Sequence, residues 1–185
     1  RLAQVVMGEV TALLGADRST LFLFDWDTME LRANFAEGIE GRARVVPLRT
    51  GIVGVSILRR EVVNLSNAGT SPYFNAEVDS LPGYRTESLL VAPLLGSDGR
   101  VLGGLELLNK TTGRFTGADE ALTTQAALRL AALIENGNAN PADIDAEVTA
   151  LCDAVACDRG VAVGAAAGAV EALDASLEWA PLTWV

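Results

Sequence analysis

At 185 residues, half of them hydrophobic, the chain has the length and apolar content of one domain with an appendage. A formal charge of −10 with scattered Lys and Arg argues against a nucleic-acid partner, and the absence of histidine excludes an ordinary catalytic triad, an imidazole acid or base and a histidine-ligated metal. The longest uncharged apolar run, VAVGAAAGAV (161–170), has about half the length of a membrane helix, so the expectation is a cytoplasmic protein with no membrane span, no catalytic residues, no metal and no cofactor.

The opening segment RLAQVVMGEVTALLG spaces Leu2, Val5, Val6, Val10, Leu13 and Leu14 along one helical face and stops at Gly15, which predicts an entry helix over 1–15. STLFLFD (19–25) and MELRANFAEG (29–38) read as strands joined by the polar turn DWDT, with RARVVPL (42–48) as a third strand of an antiparallel meander. TGIVGVSILRR (50–60) reads as a short helix with glycine at its mouth, followed by an extended EVVNL (61–65). The polar, proline-punctuated segment 66–86 is too long for an idle connection, since structureless loops beyond about 12–15 residues are usually functional or partly helical. ESLLVAPLL (87–95) and RVLGGLELLNK (100–110) form a strand pair around an Asp98-Gly99 turn, and a helix over 117–135 closes the unit.

This order specifies an α+β domain with a central antiparallel sheet flanked by helices. After NGNANPAD (136–143), residues 136–185 read as a helical appendage that meets the domain or a partner chain. Cys152 and Cys157, five apart in a helical pattern, point in different directions and are expected as two buried thiols. The chain starts at Arg1 without an initiating Met and is expected to come from a longer parent.

One stretch needs more than a turn and a cap. In NKTTGRFTGADE (109–120), Thr116 is a good N-cap with Asp119 three residues on, and Asp119 and Glu120 suit a helix N-terminus. That leaves Asn109, Lys110 and Phe115 without a reason. The alternative to a joint role is Lys110 and Asp119 as separate surface charges and Phe115 as a packing residue. TGIVG offers backbone N–H groups at a helix start, which hold an anion without a basic side chain, although small residues for helix packing are the commoner cause of such a pattern. Phe35 alone reads as a core phenylalanine.

Asn-Lys, a short spacer, Phe, three residues and Asp-Glu form the signature of the GAF domains, and residues 1–135 resemble in particular those of cyclic-nucleotide phosphodiesterases and bacterial adenylyl cyclases. The resemblance implies that Lys110 and Asp119 form an ion pair, a structural latch flanked by Asn109, Phe115 and Glu120 and lying outside the ligand pocket. It also implies a cyclic-nucleotide site. Phe35 would stack on the base, Thr20 would lie near it, and the main chain of Ile52 and Val53 would meet the ligand. Asn75, Asp79 and Thr86 would be lid contacts, and Glu106 an acid on the strand leading to the signature. Asn75 and Pro82 depart from residue types that occur in the family. Ala36 stands where some cGMP-binding members carry a carboxylate, which tilts the expectation toward cAMP. The family also implies a homodimer through terminal helices and an effector domain in the parent chain. The other expectation is a unit that binds no nucleotide and serves only dimerisation or signal transmission. A bilin photoreceptor or a thiol-based methionine-sulfoxide reductase is excluded because residues 1–135 contain no cysteine.

Overall fold

The computed structural model describes residues 2–36, 44–80 and 83–135. The appendage expected over 136–185, with Cys152 and Cys157, and Pro82 lie outside the described residues. The elements in chain order are α1 (Leu2–Leu13), β1 (Ala16–Asp25), β2 (Glu30–Ala36), β3 (Val45–Pro47), α2 (Gly51–Arg59), β4 (Val63–Leu65), β5 (Leu89–Leu95), β6 (Val101–Lys110) and α3 (Gly117–Glu135). Five antiparallel pairings join the strands in the order β3-β2-β1-β6-β5-β4. The architecture is the expected α+β one, with the first three strands as a meander.

Period-two alternation decides which face each strand residue serves. Leu105 and Leu107 of β6, with Leu21, Leu90, Ala92 and Leu94, pack against Met7 and Val10 of α1, Leu14 just past its end, and Ala126, Ala127 and Ala131 of α3. The alanine stripe on α3 lets that helix lie close to the sheet. Phe22, Leu31, Val46, Leu89, Val91 and Leu108 point the other way, toward Ile52, Val53 and Ile57 of α2. Close approach is enforced at Gly54, where an added Cβ would run into the carbonyl oxygen of Leu48.

Segment 66–86 crosses this second face. Among its described residues the regular element is a 3-10 turn, Ala68–Thr70, and the rest is turns, bends and irregular chain. The segment is nevertheless fastened, because Ala68, Val78, Asp79 and Thr86 are all buried.

Candidate functional site

The register of the sheet assembles the first wall of the site. Thr20 on β1 pairs with Ala36 on β2 and, on its other side, with Glu106 on β6, which in turn pairs with Val91 on β5. Directly paired residues share a face, so Thr20 and Glu106 belong to the face of Phe22, Val91 and Leu108, under α2 and segment 66–86. A register shift between Leu21 and Phe22 pairs Phe35 with Leu21 and places Ala36, its neighbour, beside Thr20. Thr20 and Glu106 are both buried.

The second wall is the N-terminus of α2. Ile52 and Val53 are buried there, and the backbone N–H of Ile52 donates to Asp79 Oδ1 at 2.9 Å. The helix mouth therefore holds an anion, and that anion is the protein's own carboxylate. Gly51 makes this possible: it has φ +75°, and a Cβ there would lie 2.6 Å from Asp79 Oδ1. The other oxygen of Asp79 accepts the N–H of Asn75 at 2.8 Å, while the Asp79 N–H donates to the Asn75 carbonyl at 2.6 Å. Thr86 completes the clamp by donating its hydroxyl to the Asp79 carbonyl at 2.7 Å. The side chain of Asn75 is used within the turn, accepting the N–H of Glu77 at 2.9 Å.

Asp79 and Glu106 are both held above their ordinary proton affinities. Burial lifts Asp79 to about 6 against the opposing N–H bonds from Asn75 and Ile52 and the charge of Arg44. Burial lifts Glu106 further, to about 8, and the charge of Asp79 adds to the rise while Arg44 opposes it. Glu106 Oε2 is buried with no hydrogen-bond partner among the described residues. A carboxyl in that setting is neutral at neutral pH and is both a donor and an acceptor. Sequence reasoning missed Arg44, whose guanidinium donates to the Glu77 carbonyl and is felt by both acids; nothing in RARVVPL distinguishes it from the neighbouring arginine. Beside this site, a cleft of about 460 Å³ runs along the first turn of α2 and the 72–76 turn, lined in part by Arg49, Gly51, Tyr73, Phe74 and Asn75. Among the described residues no cluster of three or more acidic, cysteine or histidine side chains could hold a metal ion.

The 109–120 residues form a separate knot. Lys110 Nζ donates to Asp119 Oδ1 and to the Leu14 carbonyl, each at 2.7 Å, and the two charged side chains are only 14% and 12% exposed. Asp119 Oδ2 accepts the N–H of Thr116 at 2.7 Å while Thr116 Oγ1 accepts the N–H of Asp119 at 3.4 Å, the reciprocal capping box that the spacing suggests. Asn109 sits at φ +52° and spends its side chain on the end of segment 66–86 and the residues that follow. Its Oδ1 accepts from the N–H groups of Glu87 and Ser88, and its Nδ2 donates to the Arg85 carbonyl. Phe115 is buried beneath Lys110, and its carbonyl, with Glu120 Oε1, accepts from the Asn64 side chain. Asn64 was not visible as a partner in the sequence because it lies 51 and 56 residues away. The knot ties α1, β4, the 85–88 stretch and α3 to the end of β6, away from the Thr20–Glu106 row.

No helix among the described residues is long and apolar enough to cross a membrane. The Caenorhabditis elegans protein named probable 3',5'-cyclic phosphodiesterase pde-5 is 35% identical over 127 residues, covering 62% of this chain and 17% of that protein. Dual 3',5'-cyclic-AMP and -GMP phosphodiesterase 11 of Drosophila melanogaster is 33% identical over 141 residues, covering 64% of this chain and 9% of that one. The chain thus spans less than a fifth of either relative. Among solved structures, the GAF domain of a phosphoenolpyruvate-protein phosphotransferase from Coxiella burnetii superposes with a TM-score of 0.62 at 25% identity, over 74% of this chain and 83% of its own. Residues 1–134 match the family model described as GAF domain, and with the sheet order and the 109–120 knot in the same stretch, the chain belongs to the GAF domain family.

Proposed function

We propose that this domain is a regulatory sensor whose ligand is a cyclic nucleotide, cAMP slightly ahead of cGMP, and that it controls an effector domain in a longer, cytoplasmic, homodimeric parent protein. The observation that carries the reading is the anion seat at the mouth of α2, facing a row that offers a hydroxyl at Thr20 and a carboxyl at Glu106. Similarity to phosphodiesterases whose names include cyclic AMP and cyclic GMP supports the ligand class. The base lies along the row beside Thr20 and Glu106, and the singly charged cyclic phosphate takes the Ile52 N–H that Asp79 now holds. Asn75, Asp79 and Thr86 move with the segment that carries them.

Binding is then an exchange of anions at one helix terminus. The ligand gains a seat only as Asp79 leaves it, so the protein's own carboxylate acts as a built-in competitor and its departure loosens 66–86. Such a ligand shifts the population between two arrangements of that segment by its differential affinity for them. One observation favours the second reading, a module that binds no nucleotide: Asp79 already satisfies the helix mouth.

Titration calorimetry with cAMP and cGMP on the native protein and on Asp79→Ala separates the two. The sensor reading expects heat with both nucleotides and, with the competitor removed, affinity increased about tenfold, a difference of about 1.4 kcal/mol. Absence of binding in both proteins, with the variant folded, would establish the second reading.

A further inference from the structure

The row across β2, β1 and β6 carries one ionisable group. Ala36 has no polar side chain and Thr20 carries a hydroxyl, so Glu106 is the residue of that row able to change its hydrogen-bonding pattern. It is 2% exposed, and its Oε2 has no partner among the described residues. The elements packed against it supply few charges: Asp79 comes from segment 66–86 and Arg44 from the approach to β3, while Thr20 of β1 and Ile52 and Val53 of α2 do not titrate. A buried carboxyl with a carboxylate neighbour and no ion-paired partner keeps its proton, and burial with the Asp79 charge is what raises its proton affinity.

The two forms of that carboxyl recognise different edges. A neutral acid donates through its O–H and accepts through its C=O. Adenine presents the complement, N1 as acceptor beside an N6–H donor, and guanine presents another, O6 beside N1–H. An ionised carboxylate only accepts. It still pairs with the adjacent N1–H and N2–H of guanine, but it repels the N1 lone pair of adenine. We propose that the proton on Glu106 sets which purine this site accepts: with the proton in place the site takes adenine or guanine, and without it guanine alone. This deepens the cyclic-nucleotide reading and rests on it. Proton release goes to solvent and needs no co-reactant.

The test is the ratio of cGMP to cAMP affinity, measured by calorimetry from about pH 6 to about pH 9 on the native protein and on Glu106→Gln. Taking the ratio cancels Asp79 and Arg44 to the extent that they face both ligands alike. In the native protein the ratio rises about tenfold over the last pH unit or so, because cAMP affinity falls with the fraction of protonated Glu106. The Gln side chain donates and accepts as the neutral acid does and cannot ionise, so its ratio stays flat and also reports any titration of guanine itself. A second readout needs no variant. With 13C-labelled Glu, the carboxyl resonance of Glu106 titrates at higher pH in the cAMP complex than in the cGMP complex. A native ratio independent of pH, or one that moves equally in Glu106→Gln, overturns the proton selector and leaves the sensor standing. Absence of binding by either nucleotide across the range overturns both.

Discussion

The two faces of the sheet are made by the same strands and treat buried polar groups in opposite ways. On the α1 and α3 side, each buried hydroxyl has a neutral partner: Thr11 and Ser19 share a bond of 2.6 Å, Thr11 is also bonded to the Met7 carbonyl, and Thr123 donates to the Asp119 carbonyl at 2.7 Å. On the α2 side two carboxyls lie buried within electrostatic reach of one another, and one keeps an oxygen without a partner among the described residues. Hydrogen-bonded hydroxyls cost little to bury, whereas a carboxyl without a cation costs several kcal/mol if it ionises. The first face is built for stability. The second accepts a standing electrostatic cost, and such costs cluster where ligands bind.

The contrast breaks most visibly if the closed face is opened. Leu107 is fully buried among α1 and α3 residues, so Leu107→Ala should lower unfolding free energy by about 4 kcal/mol, the sum of lost transfer and a residual cavity. Urea denaturation measures it. A loss under about 1 kcal/mol would mean that the helices collapse onto the gap and that this face is less tightly packed than its alternation implies.

Lys110 tests the seam of that same face. Its ammonium bridges Asp119 and the Leu14 carbonyl, so Lys110→Ala leaves a nearly buried carboxylate with one fewer cation and frees the end of α1. The expected loss is about 3 kcal/mol, near the lower end for a broken buried pair because both side chains keep some solvent contact. Lys110→Met, which keeps the stem over Phe115, should recover part of it. Equal losses in the two variants would place the whole effect in the charge.

The second face should reveal itself through pH. Folded Glu106 titrates near 8, above its ordinary 4.5, so between those values the native state holds a proton that the unfolded chain has released. Stability therefore falls as pH rises through that window and levels off above it, by up to about 1.4 kcal/mol per pH unit. Asp79, raised from 3.8 to about 6, contributes in the same direction over the lower window. Glu106→Gln removes the Glu106 share of the slope across that window, and at about pH 8 it should be the more stable of the two proteins. Parallel curves for the two proteins would place the titrating group elsewhere.

How much of this contrast can be read before folding depends on the range of the contact. Periodicity delimits α3 to residues 117–135 as observed, and it places Leu105 and Leu107 on one face because alternation is a local property. The Thr116–Asp119 box is likewise contained in four residues. Asp79 at the mouth of α2 is different: it lies 27 residues from Ile52, and a period cannot bring them together. The pairing of Phe35 with Leu21 depends on a register shift between Leu21 and Phe22, which no simple alternation announces. The anchoring of 66–86 was hidden for a related reason. Its composition suggests a loop with few aliphatic anchors, and the fastening comes from Asp79 and Thr86, polar residues whose burial depends on partners elsewhere in the chain.

The smallest effect supplies the control that gives the others meaning. Arg32, half exposed on β2, lies 3.2 Å from Asp25 and 3.6 Å from Glu30, so by simple counting it belongs to a better ion-pair network than anything near Glu106. Water screens it from both sides, and ordering a long side chain offsets much of the attraction. Arg32→Ala should therefore cost about 0.5 kcal/mol or less, and even that should fade at about 1 M salt, where the screening length is about 3 Å. If the loss exceeded about 2 kcal/mol, or persisted undiminished in salt, solvent-exposed charge on β2 would weigh as much as charge under α2. The standing cost at Asp79 and Glu106 would then cease to mark their face as special. A small, salt-sensitive loss leaves burial, and not charge as such, as what separates the site from the rest of the surface.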